Sequence, residues 1–151
     1  MNRLGKQTTP WHLWVIGVVA TLWNGFGATD YTMTQTANQG WFASMGIDQA
    51  TTDAMLEFLG NAPAWADAAW AFGVWGGLAG SLLLLFRNRW AVTAFAVSIA
   101  GVLVSMIYQA GVDYPPLLEE MGNSPMMGVV LLIAAMLLWY AWVMRKRGVL
   151  S

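Results

Sequence analysis

Few side chains in this 151-residue sequence can do chemistry, and they gather at the ends of apolar stretches. Asn24, Asp30 and Tyr31 come late in the first such stretch, and Tyr108 and Gln109 close the third. With Asp67, Asp113 and the rings of Trp65, Trp70 and Trp75 at similar depth, they could line an outward-facing vestibule. Carboxylates, amides and indoles suit a cation or a polyhydroxylated solute. No basic residue shares that side, so an anion would be poorly served.

Each of these residues also has a plainer account. Asp67 falls in the first turn of a helix, where the dipole favours an acid, and Asp113 falls in a loop. Asn24, with Thr21 and Gly17 near the same face, needs a hydrogen-bond partner in apolar surroundings. A neighbouring helix supplies one as readily as a ligand would. Asp30 is the acid most worth singling out.

Other chemistries are poorly supported. His12 is the sole histidine, which excludes bis-histidine haem ligation within one chain and makes a transition-metal centre a poor expectation. The ten methionines, Met121, Met126 and Met127 among them, are ordinary fillers of apolar helices before they are copper ligands. Without cysteine there is no thiolate nucleophile, no disulfide and no thiolate metal site. Asp53 and Glu57, one turn apart, read more simply as a solvated face than as an acid and base pair. No nucleophile stands with a base, so no enzyme, cofactor or metal is expected. No basic run exceeds three residues, so no nucleic acid is expected either.

The elements that must position these residues are transmembrane helices. Charged residues make up 10% of the chain, against about 25% in soluble domains. Apolar residues reach 58%, more than a globule of this size can hide. Four runs, at 11–31, 63–86, 90–110 and 125–144, are long enough to cross the hydrocarbon layer, which takes about 20 helical residues. Arg87, Asn88 and Arg89 alone separate the second from the third, so these two form a tight antiparallel hairpin. Prolines 10, 63, 115, 116 and 125 all lie at ends or in loops, so no span is broken. An alternative for the first run, a signal peptide after Arg3 and Lys6, fits poorly with its length and tryptophan content.

Charge sets the orientation. The seven basic residues fall in three clusters, Arg3 with Lys6, Arg87 with Arg89, and Arg145 to Arg147. The eight acids fall in or beside the other two connections. By the positive-inside rule both termini are cytoplasmic, and two belts of Trp and Tyr mark the two interfaces. The external connection 32–62 is long enough to contain an amphipathic helix at about 48–59. Asp48 or Thr51 can cap it and Gly60 can end it. Its apolar face would hold Ala50, Ala54, Met55, Phe58 and Leu59.

The second run carries Ala69, Gly73 and Gly77 at fourfold spacing, with Gly76 and Gly80 alongside. The third offers Ala91, Ala94, Ser98, Gly101 and Ser105. Small stripes of this kind let helices approach closely in lipid. The two stripes are expected to meet within the hairpin, the alternative being a contact between protomers.

Pro10-Trp11-His12-Leu13-Trp14, Leu22-Trp23-Asn24-Gly25, and Asp30-Tyr31 followed by Met33-Thr34-Gln35 carry a resemblance that continues along most of the chain. It runs through Pro63-Ala64-Trp65, Ala69-Trp70-Ala71, Trp75-Gly76-Gly77 with Gly80-Ser81, and Arg89-Trp90-Ala91-Val92. These motifs resemble uncharacterised small four-helix inner-membrane proteins of proteobacteria, often labelled "sugar transporter". The group brings no established activity or catalytic residues. Sugar transporters of the three-helix-repeat type place hinge prolines in their spans, and none is present here. Four helices starting inside give two hairpins of the same orientation and no inverted repeat. A proton-coupled exporter would usually hold a carboxylate deep in the membrane, whereas Asp30 is near its edge.

The expected protein is therefore all-α, a polytopic four-helix bundle forming one membrane domain over residues 1–151, with a short external amphipathic helix. It is placed in the bacterial inner membrane as a non-enzymatic accessory or interaction protein, within a homo-oligomer or a larger membrane complex. The alternative is an oligomeric transporter of small, sugar-like solutes contacting Asn24, Asp30 and Gln109.

Overall fold

Pro10, Pro63 and Pro125 each stand immediately before a long helix, where a missing N–H costs nothing. The computed structural model describes residues 8–151, and among these it contains helices and no strand. Four helices are long: α1 (Trp11–Gln35), α4 (Ala64–Leu85), α5 (Ala91–Ala110) and α7 (Met126–Lys146). Three are short: α2 (Gln39–Ser44), α3 (Gln49–Gly60) and α6 (Glu119–Gly122), the last preceded by a 3-10 turn at Pro116–Leu118. The N-terminal basic pair, Arg3 and Lys6, lies outside the described residues.

Among the described residues, three helical stretches are long and apolar enough to cross a membrane: Ala64–Leu85, Ala91–Ala110 and Pro116–Lys146. α1 has the length, at 25 residues, but it carries Asn24, Asp30 and several threonines and is not among the three. It also runs to Gln35, past the residue 31 at which the apolar pattern fades. Thr29, Thr32 and Thr36 make this possible by bonding their hydroxyls to carbonyls four residues back, which satisfies them within the helix.

Four helix ends share one device. Ala37, Gly46, Arg87 and Gly148 all have positive φ, from 50° to 78°, just past the ends of α1, α2, α4 and α7. After α4 the amide of Asn88 donates to Leu83 O at 2.8 Å and that of Arg87 to Leu84 O at 3.0 Å. This double closure uses carbonyls that the helix leaves unpaired. At the start of α7, Ser124 Oγ accepts from Met126 N at 3.3 Å, so the helix opens one residue later than a serine cap at 124 implies.

α4 lies between α1 and α5, and α7 packs on α5. Small residues decide how closely. A methyl group added at Gly101 would lie 2.5 Å from Ala69 O, and one at Gly76 would lie 3.0 Å from Ser98 N. At Gly80 it would meet the Phe95 ring at 2.7 Å, and at Gly73 the Val102 amide at 3.4 Å. Backbone therefore touches backbone along the hairpin, where dispersion contacts are densest. The larger core lies at the end that carries the Arg87 turn. There Leu13, Leu84, Phe95, Ala141, Met144 and Leu150 are all buried together.

Outward faces are apolar. Trp11, Leu22, Phe26, Phe72, Phe86, Ile107 and Leu132 are all more than half exposed. Such a coat is the reverse of a water-facing surface and matches a hydrocarbon solvent.

α3 forms with Asp48 as its cap, Asp48 Oδ1 accepting from Thr51 N at 3.0 Å. Thr52 is its buried residue, Ala54, Met55, Phe58 and Leu59 are half-buried, and Gln49, Asp53 and Glu57 are exposed, so the inward face holds the expected apolar residues except Ala50, which is exposed. The preceding α2 was not legible as a helix. Asn38 caps it and Phe42 anchors it at 1% exposure.

Candidate functional site

Polar side chains meet at two levels of the bundle. The first is inside it. Asn24 on α1 donates through Nδ2 to Ser81 Oγ on α4 at 3.0 Å and to Ala20 O at 2.9 Å. Its Oδ1 rests against Gly77, in the space a side chain there would fill. Ser81 in turn donates to Gly77 O at 2.9 Å, and Ser98 on α5 donates to Gly73 O at 2.5 Å. Gly77 thus faces both α1 and α5. One turn beyond Gly101, the Ser105 hydroxyl is buried without a partner.

The second level is the end opposite the Arg87 turn, where three clusters form. In one, the Trp41 indole donates to Asp30 Oδ1 at 2.9 Å, and the Trp41 ring packs on Phe26 with centroids 5.8 Å apart. In another, Gln35 donates to Asp67, and Tyr31 sets its hydroxyl against the same carboxylate. The Tyr31 ring meets Trp70 edge to face at 4.8 Å. In the third, Trp65 meets Tyr108 at 5.4 Å, Phe58 meets Tyr114 at 5.0 Å, and Tyr114 OH donates to Gln109 Oε1 at 3.3 Å.

The third cluster borders an open groove of about 570 Å³ between α3, the end of α5 and the following loop, lined by Glu57, Phe58, Asn61, Tyr108 and Asp113. A second groove, of about 500 Å³, shares Val112 and Asp113 and reaches Gln109 and Glu119. Burial, with Tyr108 nearby, holds the Tyr114 phenol above its ordinary range, so it stays a neutral donor. No group of three or more His, Asp or Glu able to hold a metal ion occurs among the described residues.

The vestibule set is therefore distributed. Asn24 pairs with Ser81 inside the bundle, Asp30 holds Trp41, and Tyr31 joins Asp67 and Trp70. Tyr108 and Gln109 line the two grooves. Ser98, Gly101 and Ser105 lie buried on α5, and Ala69, Gly73, Gly77 and Gly80 lie buried on α4.

Trp41 and Gln35 were not singled out from the sequence. Their partners lie 11 and 32 residues away, and no local spacing signals such a bond. Ser81 could have been found, since a serine following Gly80 stands one helical turn from Gly77.

The fold and polar clusters define an all-helical protein whose long apolar helices suit a membrane. Comparison with family models, curated proteins and solved structures finds no match to the chain.

Proposed function

We propose that the chain is an accessory protein of the bacterial inner membrane, a four-span bundle that acts by packing against another membrane protein and catalyses no reaction. α1 is the first span and α4, α5 and α7 the others. Both termini face the cytoplasm, and α2 and α3 lie on the far side. The separation of basic from acidic residues supports this orientation. The three helices long and apolar enough to cross a membrane support the membrane reading.

The observation that carries the interaction role is the closed interior. Gly101 against Ala69, Gly76 against Ser98 and Asn24 against Gly77 bring three helices into contact. Asn24, Ser81 and Ser98 spend their hydrogen bonds on one another or on backbone carbonyls. A solute path through one chain would need those groups facing a wet passage. α7 adds support: it buries only Leu137, Ala141 and Met144 and exposes Met126, Val129, Leu132 and Met136.

The chain has no cysteine, so single-cysteine variants report cleanly. Ser44→Cys is expected to react with an impermeant reagent from outside intact spheroplasts, and Ser151→Cys only after permeabilisation. A photocrosslinker at Leu132 is expected to capture one second membrane protein of fixed mass. Saturable sugar uptake by proteoliposomes of the purified chain, abolished by Asp30→Asn, would establish the transporter instead.

A further inference from the structure

The end opposite the acidic clusters carries a feature that the sequence keeps apart. After α7 the chain turns at Gly148, whose φ is 72°, and runs back under the α4–α5 hairpin. Ser151 N donates to Arg87 O at 2.9 Å, and Arg89 N donates to Ser151 O at 3.2 Å. Leu150, 4% exposed, is driven into the core beside Leu84, Phe95 and Met144. This clasp brings Arg87 and Arg89 to the same end surface as Arg145, Lys146 and Arg147, all five of them exposed.

We propose that this joined surface binds the phosphate headgroup of an anionic phospholipid. Charge complementarity argues for an anion from outside the molecule. Five cations share one end, and the eight acidic side chains belong to segments at the other, so no acidic side chain offsets them there. Arg87 adds a second argument. It holds φ at 56°, a conformation glycine adopts freely and an arginine only at a cost, and there its Nη1 donates to Thr9 Oγ1 at 2.9 Å. That bond orients the guanidinium at the same end surface as the other four cations.

The surroundings argue for a lipid rather than a free anion. Phe86, Trp90 and Trp139 stand exposed at this end at 77%, 57% and 64%, ready to pack on acyl chains just below a headgroup. Lys146 Nζ sits 3.6 Å from the centroid of the Trp142 ring, which fixes a cation at the depth of an interfacial indole. The inference rests on the membrane reading but not on its orientation.

Native mass spectrometry of the full chain in mild detergent, titrated with phosphatidylglycerol, phosphatidylcholine or inorganic phosphate, tests it. Phosphatidylglycerol is expected to bind at least about tenfold more tightly than phosphatidylcholine, since each basic residue near a headgroup is worth roughly a factor of five. Arg87→Gln and Arg89→Gln should each lower that affinity by about fivefold. Leu150→Ser removes no charge but releases the clasp, and should weaken binding to a similar degree. If that variant does not fold, Arg145→Gln with Arg147→Gln at exposed positions carries the same test. Equal retention of the two lipids, displacement by equimolar inorganic phosphate, or folded variants that bind like wild type would each overturn the proposal. Failure of the membrane reading would look different, with the chain recovered monodisperse and free of detergent.

Discussion

Asn24 and Gly77 fit together as side chain and notch: the Asn24 carboxamide oxygen occupies the space over Gly77 while its nitrogen donates to Ser81 at 3.0 Å. The two positions should therefore be energetically coupled. Gly77→Ala alone must displace Asn24 from its hydrogen bond, whereas in an Asn24→Ala background the added methyl meets only Ser98 Oγ, at 3.2 Å. A double-mutant cycle in thermal unfolding is expected to show a coupling of about 1 kcal/mol or more. Strict additivity would show that the notch is not occupied.

Gly101 and Gly25 are both helical glycines with opposite surroundings. A methyl at Gly101 would strike the Ala69 carbonyl and the Gly73 amide, each at 2.5 Å, while one at Gly25 meets nothing within 4 Å. Gly101→Ala should push the hairpin apart and cost about 1–3 kcal/mol, the range of an overpacked core. Gly25→Ala should be neutral or stabilising, because alanine is the better helix former. Melting temperatures of the two variants in one detergent give the comparison.

Ser98 and Ser105 lie on the same buried face of α5, but only Ser98 has a partner. Ser98→Ala is expected to cost roughly 0.6 kcal/mol, the average for an interhelical hydrogen bond in lipid. Ser105→Ala removes a hydroxyl that is desolvated without return, so stability should hold or rise. A loss at Ser105 equal to that at Ser98 would contradict the pairing described.

Ala37 closes α1 with φ at 50°, a left-handed conformation that strains any residue with a Cβ. Ala37→Gly should stabilise the chain by about 1 kcal/mol, offset in part by the greater freedom of glycine in the unfolded state. Amide exchange at Asn38, whose N–H bonds Met33 O at 2.9 Å, should slow in step.

Asp48 caps α3 through the Thr51 amide and hydroxyl, and these bonds hold its carboxyl below the ordinary range. A depressed carboxyl stabilises above its unfolded pKa, and that contribution fades as pH falls through the folded value. Exchange protection in α3 should therefore be constant near neutrality and drop below about pH 4. Asp48→Asn, which keeps an acceptor and has no proton to gain, should flatten that acid limb.

Along the chain, what could be read in advance was whatever depends on neighbours in sequence. Apolar runs gave the long helices at 64–85, 91–110 and 126–146 to within a residue or two, because hydrophobic length is a local property. Prolines 63 and 125 marked helix starts, and Asp48 was one of two candidate caps, for the same reason. The small residues of α4 and α5 announced a close approach expected within the hairpin, and Gly101 against Ala69 and Gly76 against Ser98 are where it occurs. Tertiary structure decided that Gly77 receives Asn24, that Asp30 is held by Trp41, and that Leu150 and Ser151 lock Arg87 and Arg89 to the end of α7. Each of these joins residues that no periodicity relates. A hydrogen bond is specified by geometry within about 3 Å, and only the packed helices fix positions that finely.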